Sequence, residues 1–160
     1  MNRLFLLTGS NLGDRNEHLN KALDFISRQL GKVISKSQIY RSESWGYKST
    51  GIYYNQCIEV ETFLGPHETL KIILKIEAEM GRQRAGEGYS DRDIDIDILF
   101  FHNLIIDDLQ LTVPHPRFHL RRFALLPMNE IAGEFLHPIL GKTISELLSE
   151  CKDESIVSRV

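Results

Sequence analysis

The densest chemistry in this chain is one short run, Asp93-Ile94-Asp95-Ile96-Asp97-Ile98, in which acid and isoleucine alternate strictly. In a β-strand successive side chains point to opposite faces, so three carboxylates share one face and three isoleucines the other. Aspartate is a poor strand former, and like charges two residues apart repel. Such a face persists either because water washes it or because a cation neutralises it. Same-face neighbours sit roughly 6–7 Å apart along the backbone, close enough for both carboxylates to reach one or two hard cations. Mg²⁺ takes a few carboxylates and completes its shell with water and phosphate oxygens. Spacing alone leaves the solvated face and the cation site both open.

The surroundings of the run bear on that choice. Arg82, Arg84 and Arg92 precede it, and His115, Arg117, Arg121 and Arg122 follow. Planar guanidinium forks beside a carboxylate pair are the groups that phosphate transfer needs, since they hold charge that a bridging metal does not. Taken singly, each arginine could equally pair on the surface with Glu79, Glu87 or Asp91. Glu77 falls inside the apolar arc Leu70, Ile73, Leu74, Ile76 and Met80, so it is either a rim residue or part of a site. Trp45, Tyr47, Tyr53 and Tyr54 bring aromatic surface, and Tyr53 shares a strand face with Asn55. That pairing suits a flat heterocycle stacked on its face and read at its edge; ordinary core packing is the alternative.

The elements that must position these residues follow from periodicity and punctuation. Residues 3–8 read as a buried strand and Gly9-Ser10-Asn11 as a turn. Asp14 and Glu17 sit in capping-box positions, and Leu19, Ala22, Leu23, Ile26 and Leu30 then recur at helical spacing up to Gly31. Residues 33–41 read as a second strand, 42–52 as a loop and 53–62 as a third strand. Pro66 opens a helix that ends before Gly81. Residues 82–92 read as a long loop, 93–101 as a strong strand and 104–106 as a short one. A short helix is expected near 120–126, a last helix from Thr143-x-x-Glu146, and a polar frayed tail after it. The order β-α-β-β-α-β predicts an α+β fold, a ferredoxin-like antiparallel sheet with helices packed on it and C-terminal additions.

Composition bounds the function. The chain has 160 residues, the size of one domain over 1–160, with 42% hydrophobic and 26% charged residues. A net charge of −3 and a pI of about 6.1 argue against a general nucleic-acid binder. Cys57 and Cys151 form no metal or redox pair, and no apolar run reaches membrane-spanning length, which predicts a cytoplasmic protein.

These residues together resemble one family, hydroxymethyl-dihydropterin pyrophosphokinase. The matching stretches are Gly9-Ser10-Asn11-Leu12, Tyr40-Arg41-Ser42, Tyr53-Tyr54-Asn55, Glu77 and Gly81-Arg82-Gln83-Arg84. Arg92 to Phe100 follows, then Leu111-Thr112-Val113-Pro114-His115-Pro116 with Arg121 and Phe123. The resemblance covers roughly residues 3–130. It implies that pyrophosphate moves as one unit from ATP, the co-substrate, to the hydroxymethyl oxygen of a dihydropterin, releasing AMP. It implies further that Asp95 and Asp97 hold two Mg²⁺ ions and that Arg82 and Arg92 hold the phosphates during transfer. Glu77, Ile98, Leu111 and Thr112 resemble adenosine-binding positions. His115 and Arg121 resemble phosphate contacts, and Arg84 lies in the stretch that resembles a catalytic lid. Tyr53 and Phe123 resemble the two faces of a pterin sandwich, with Asn55 and the backbone from Ser42 to Trp45 reading its edge. The family resemblance also suggests a monomer with small-molecule partners only.

The chain departs from the family's pattern at Ser42-Glu43-Ser44, where prolines are common, at Tyr89, where tryptophan is common, and at Gln110, where some members are basic. Three other readings fit parts of the pattern: a Mg·ATP-binding sensor without chemistry, a pyrophosphokinase for another small alcohol, and a structural or interaction module whose acidic strand is only a solvated face.

Overall fold

A computed structural model describes residues 1–43, 51–81 and 93–160. Arg82, Arg84, Arg92, Trp45 and the lid expected over 82–92 therefore lie outside the described residues.

Strand β1 (Asn2–Ser10) is buried from Leu4 onward and occupies the middle of the sheet. Helix α1 (Arg15–Gln29) starts where Asp14 accepts the Glu17 N–H at 3.1 Å, so the expected cap is in place. The expected strand at 33–41 is two strands, β2 (Lys32–Lys36) and β3 (Tyr40–Glu43), both paired with β4 (Ile52–Thr62). Ser37 causes the break: its hydroxyl and its N–H both engage the Cys57 peptide, and three residues leave the ladder. Ser42 and Glu43, expected in a loop, continue β3. Helix α2 (Pro66–Glu79) begins on Pro66, and Gly81 follows with a positive φ of 84°, a conformation that favours glycine. Strand β5 (Asp95–Phe101) then returns beside β1.

The strands run β5-β1-β4-β3, with β2 also on β4, and the β1–β4 and β1–β5 pairs are antiparallel. Counting the broken β2/β3 segment as one strand, this is the order of the split β-α-β unit that the sequence predicts. Helices α1 and α2 cover one face through Leu4, Leu6, Ile58, Val60, Ile96 and Ile98. Helices α3 (Arg122–Ala132) and α4 (Ile144–Glu150) cover part of the other through Phe5, Leu7, Cys57, Leu99 and Phe100.

Three further expectations change. The short helix near 120–126 is a 3₁₀ turn (Phe118–Leu120) followed by α3, which runs through Pro127 to Ala132. Pro127 removes one helical hydrogen bond, and burial of Ala124, Leu125, Met128 and Ala132 against the sheet offsets that loss. The segment near 104–106 becomes a two-stranded ribbon of β6 (Ile106–Asp107) and β7 (Thr112–Val113). The frayed tail is corrected: Val157–Arg159 forms β8, an edge strand antiparallel to β3.

Candidate active site

The register of the sheet assembles the site. Gly9 pairs with Asp95 on one side and with Asn55 on the other, and Asn55 pairs with Tyr40. One row across the sheet therefore reads Asp95, Gly9, Asn55, Tyr40. The neighbouring rows on the same face are Asp97, Leu7, Cys57 and Tyr53, Ser42. Adjacent strands lie about 4.8 Å apart, so Asp95 and Asn55 stand about 10 Å from each other with glycine between them. The predicted cation ligands and the predicted pterin residues thus share one face.

Alternation in β5 does what the sequence predicts up to Ile98. Ile94, Ile96 and Ile98 are buried toward α1 and α2, while Asp95 and Asp97 are partly exposed on the opposite face. Asp93 precedes the strand. The register against β1 then shifts, and Leu99 and Phe100 both enter the core under α3. A bulge of this kind adds one residue to one strand and re-aims those that follow.

His115 is tied to this strand by its N–H, which donates to the Leu99 carbonyl at 3.0 Å. Burial, reinforced by the Arg121 guanidinium and only partly opposed by Asp95, pushes its pKa down to about 4. The imidazole is therefore neutral at pH 7. Its Nδ1 accepts the Arg117 N–H at 3.2 Å, which leaves the proton on Nε2. Arg121 is buried at the start of α3, with its guanidinium 5.7 Å from the centre of the Phe123 ring. Phe123 is half-buried in the first turn of α3, and Tyr53 is half-buried at the start of β4.

Among the described residues, two buried polar atoms of the predicted pterin contacts have no hydrogen-bond partner: Ser42 Oγ and Asn55 Oδ1. Asn55 gives an N–H of its amide to the Thr8 carbonyl at 3.4 Å, which leaves the oxygen as an acceptor. A buried acceptor left unmade costs about 1–3 kcal/mol. Such atoms gather where a polar ligand completes them.

The predicted adenosine residues lie around the edge of the same strand. Glu77 is neither rim nor exposed: it is 3% accessible, and its carboxylate accepts the Ile96 N–H at 2.9 Å. That bond satisfies a backbone donor which β5, an edge strand, cannot give to β1. By the antiparallel alternation, the backbone groups of Ile98 point to the same outer side. The Ile98 and Leu111 side chains are in the core beneath α1 and α2, and Thr112 is exposed on β7. So Ile98 and Leu111 offer backbone and rim, not apolar side-chain surface, to any ligand there.

The oxygen donors of Asp95 and Asp97, with a neutral histidine and a buried arginine beside them, fit a hard cation that arrives on phosphate oxygens. Among the described residues no group of three or more His, Cys, Asp or Glu converges on one point. A cation here would complete its shell from phosphate and water.

Sequence reasoning missed Gly9. It lies inside β1, not in a turn, and a Cβ there would meet Asn55 Nδ2 at 2.6 Å. Glycine within a strand is itself a signal that something approaches closely.

The comparisons agree with this geometry. Residues 5–133 match the family model described as 7,8-dihydro-6-hydroxymethylpterin-pyrophosphokinase. A curated relative from Porphyromonas gingivalis, 2-amino-4-hydroxy-6-hydroxymethyldihydropteridine pyrophosphokinase, is 36% identical over 84% of this chain and 93% of its own length. The Aquifex aeolicus protein of the same name is 35% identical over 94% of this chain and 92% of its own. Among solved structures, a triple-mutant HPPK-DHPS of Plasmodium falciparum superimposes with a TM-score of 0.79 at 20% identity over 93% of this chain. This chain spans 43% of that longer one, and the likeness shows the shared fold. Among the described residues no helix is long and apolar enough to cross a membrane. By the extent of both matches, the chain belongs to the 7,8-dihydro-6-hydroxymethylpterin-pyrophosphokinase family.

Proposed function

We propose that this face carries out the family's reaction, the transfer of pyrophosphate from ATP to the hydroxymethyl group of 6-hydroxymethyl-7,8-dihydropterin in folate synthesis. The observation that carries the reading is the shared row: Asp95 and the orphan acceptor of Asn55 stand on one face about two strand spacings apart. A phosphate-handling half and a heterocycle-reading half therefore meet within the span of one substrate pair.

The roles follow from position. Asn55 Oδ1 and Ser42 Oγ accept or exchange hydrogen bonds with the pterin edge, and Tyr53 and Phe123 bound its faces. Trp45 belongs to the same reading. Glu77, Ile98, Leu111 and Thr112 flank the adenosine at the outer side of β5, with Ile98 acting through its backbone. Arg121 supplies fixed positive charge to the phosphates, and the neutral His115 donates its Nε2–H to a phosphate oxygen. Arg82, Arg84 and Arg92 complete the positive set.

Asp95 and Asp97 would hold two Mg²⁺ ions. When bound, these supply electrostatic stabilisation of the charge on the transferring group. The protein's own part is positioning: it holds the hydroxymethyl oxygen in line with the β-phosphorus in a preorganised field. No side-chain nucleophile is required. The reading takes the chain as one cytoplasmic domain over 1–160, working as a monomer.

The test is turnover against Mg²⁺ concentration for the wild type, Asp95→Asn and Asp97→Asn, with circular dichroism to confirm folding. Each variant is expected to lose at least about 10³-fold in kcat while staying folded. Variants that keep wild-type turnover and metal dependence would refute the assignment.

A further inference from the structure

Residues 151–160 lie beyond the family match, which ends at 133, yet they touch both walls of the pterin site. On one side, β8 pairs with β3 in the register Tyr40↔Arg159, Arg41↔Ser158 and Ser42↔Val157, and Val160 N–H donates to the Ile39 carbonyl at 2.9 Å. The strand that presents Ser42 is thereby held between β4 and β8 instead of forming the sheet's edge.

On the other side, α3 begins at Arg122, and its N-cap residue, Arg121, makes no side-chain capping bond. The Arg122 N–H instead donates to Asp153 Oδ2 at 3.0 Å. A carboxylate at that point satisfies one of the open N–H groups of the first turn and complements the positive end of the helix. Asp153 is itself fixed, because its Oδ1 accepts the Ser155 N–H at 3.0 Å. The helix turn that carries Phe123 is thus capped from the tail.

Glu130 joins the two sides. Its carboxylate accepts the Tyr40 hydroxyl at 2.7 Å and the Gln38 N–H at 2.9 Å, and Arg159 lies 3.7 Å from it. Arg159 Nε also donates to the Tyr40 hydroxyl at 3.3 Å. Helix α3, strand β3 and strand β8 therefore share one polar junction.

We propose that the C-terminal segment is a positioning element of the pterin pocket: Asp153 sets the helix that presents Phe123, and β8 sets the strand that presents Ser42. The proposal rests on reading Phe123, Ser42 and Asn55 as pterin contacts. On the ATP side only Arg121, the N-cap residue of α3, neighbours the tail; Asp95 and Asp97 stand on β5, at the opposite end of the sheet from β8, so loss of the tail should weigh more on the pterin than on ATP.

The experiment uses the full chain with Asp153→Ala, Asp153→Asn, Ser158→Pro and Ser158→Ala, and Phe123→Ala alongside. Val160 N–H bonds to Ile39, the residue before β3, so by alternation the Ser158 N–H bonds to its β3 partner Arg41, and proline removes it; the Ser158 side chain is exposed. KM for the pterin, KM for ATP, kcat and Tm are measured for each. Ser158→Pro is expected to raise the pterin KM about tenfold and move the ATP KM less than about twofold, and Asp153→Ala, which also loosens the turn that begins at Arg121, to raise the pterin KM about tenfold and the ATP KM by a clearly smaller factor. Asp153→Asn, which keeps an acceptor, and Ser158→Ala are expected to stay near wild type. An unchanged pterin KM in Asp153→Ala and Ser158→Pro, with Phe123→Ala impaired, would overturn the tail proposal alone. Equal losses for both substrates that follow a falling Tm would also overturn it, making the tail a stability element. A pterin KM left unchanged by Phe123→Ala would overturn the pocket reading and this proposal with it.

Discussion

Replacing Gly9 with alanine puts a carbon 2.6 Å from Asn55 Nδ2, where ordinary contact begins near 3.4 Å. The Asn55 amide must therefore move by about 0.8 Å, since Gly9 is fixed in the middle of the sheet between β4 and β5. That movement breaks the 3.4 Å bond from Nδ2 to the Thr8 carbonyl and takes Oδ1 away from the position it holds for a ligand. Losing one hydrogen bond to a buried acceptor costs about 1–3 kcal/mol, which is about five- to hundredfold in affinity. Stability should hardly change, because alanine is a better strand residue than glycine by about 0.5–1 kcal/mol, which offsets the crowding. The assay is calorimetric binding of the pterin with steady-state KM for both substrates. A weakened pterin with ATP unaffected is the expected result. Unchanged pterin affinity in a folded Gly9→Ala protein would refute the argument that glycine is there to seat Asn55.

Further consequences can be checked with the same tools. Glu77→Ala leaves the Ile96 N–H buried without an acceptor and should destabilise the fold by about 2–3 kcal/mol, whereas Glu77→Gln keeps an acceptor and should cost less; chemical denaturation measures both. His137 is 3% accessible, its Nδ1 accepts the Ile139 and Leu140 N–H groups, and burial, with His119 nearby, pushes its pKa down to about 4. The unfolded chain, with histidine near 6.5, binds the proton first, so this contribution is complete above pH 6.5 and falls by up to about 3 kcal/mol as pH drops toward 4. His137→Asn keeps an acceptor without the titration, and its Tm should vary less over that window; an identical pH slope would refute the assignment. His115 likewise stays neutral down to about pH 4, so it should put no step near pH 6.5 in kcat/KM; such a step, abolished in His115→Gln, would contradict the tautomer argument.

The alternation of Asp and Ile was enough to read β5 and the side of the sheet its acids occupy, because a strand's period is local. Caps at Asp14 and Thr143 were readable for the same reason. What local pattern could not give was register. Gly9 read as a turn residue because only pairing with Asn55 and Asp95 reveals why it has no side chain. The burial of Ile98 and Leu111 on the helix-covered side, and the role of Glu77 as acceptor for an edge strand, depend on which strand ends the sheet. The helix expected near 120–126 runs on through Pro127 to Ala132, an extension that burial against the sheet supports and local pattern does not show. The tail is three paired residues long and polar, so no sequence window marks it; its partners are more than a hundred residues away.

The most direct measurement is identification of the nucleotide product. Purified protein is incubated with ATP, Mg²⁺ and 6-hydroxymethyl-7,8-dihydropterin, the reaction is quenched, and nucleotides and pterins are separated. AMP formed one-for-one with a pterin diphosphate, and absent when either pterin or Mg²⁺ is omitted, is the predicted result. ADP with a pterin monophosphate, or nucleotide consumption that does not require the pterin, would contradict it.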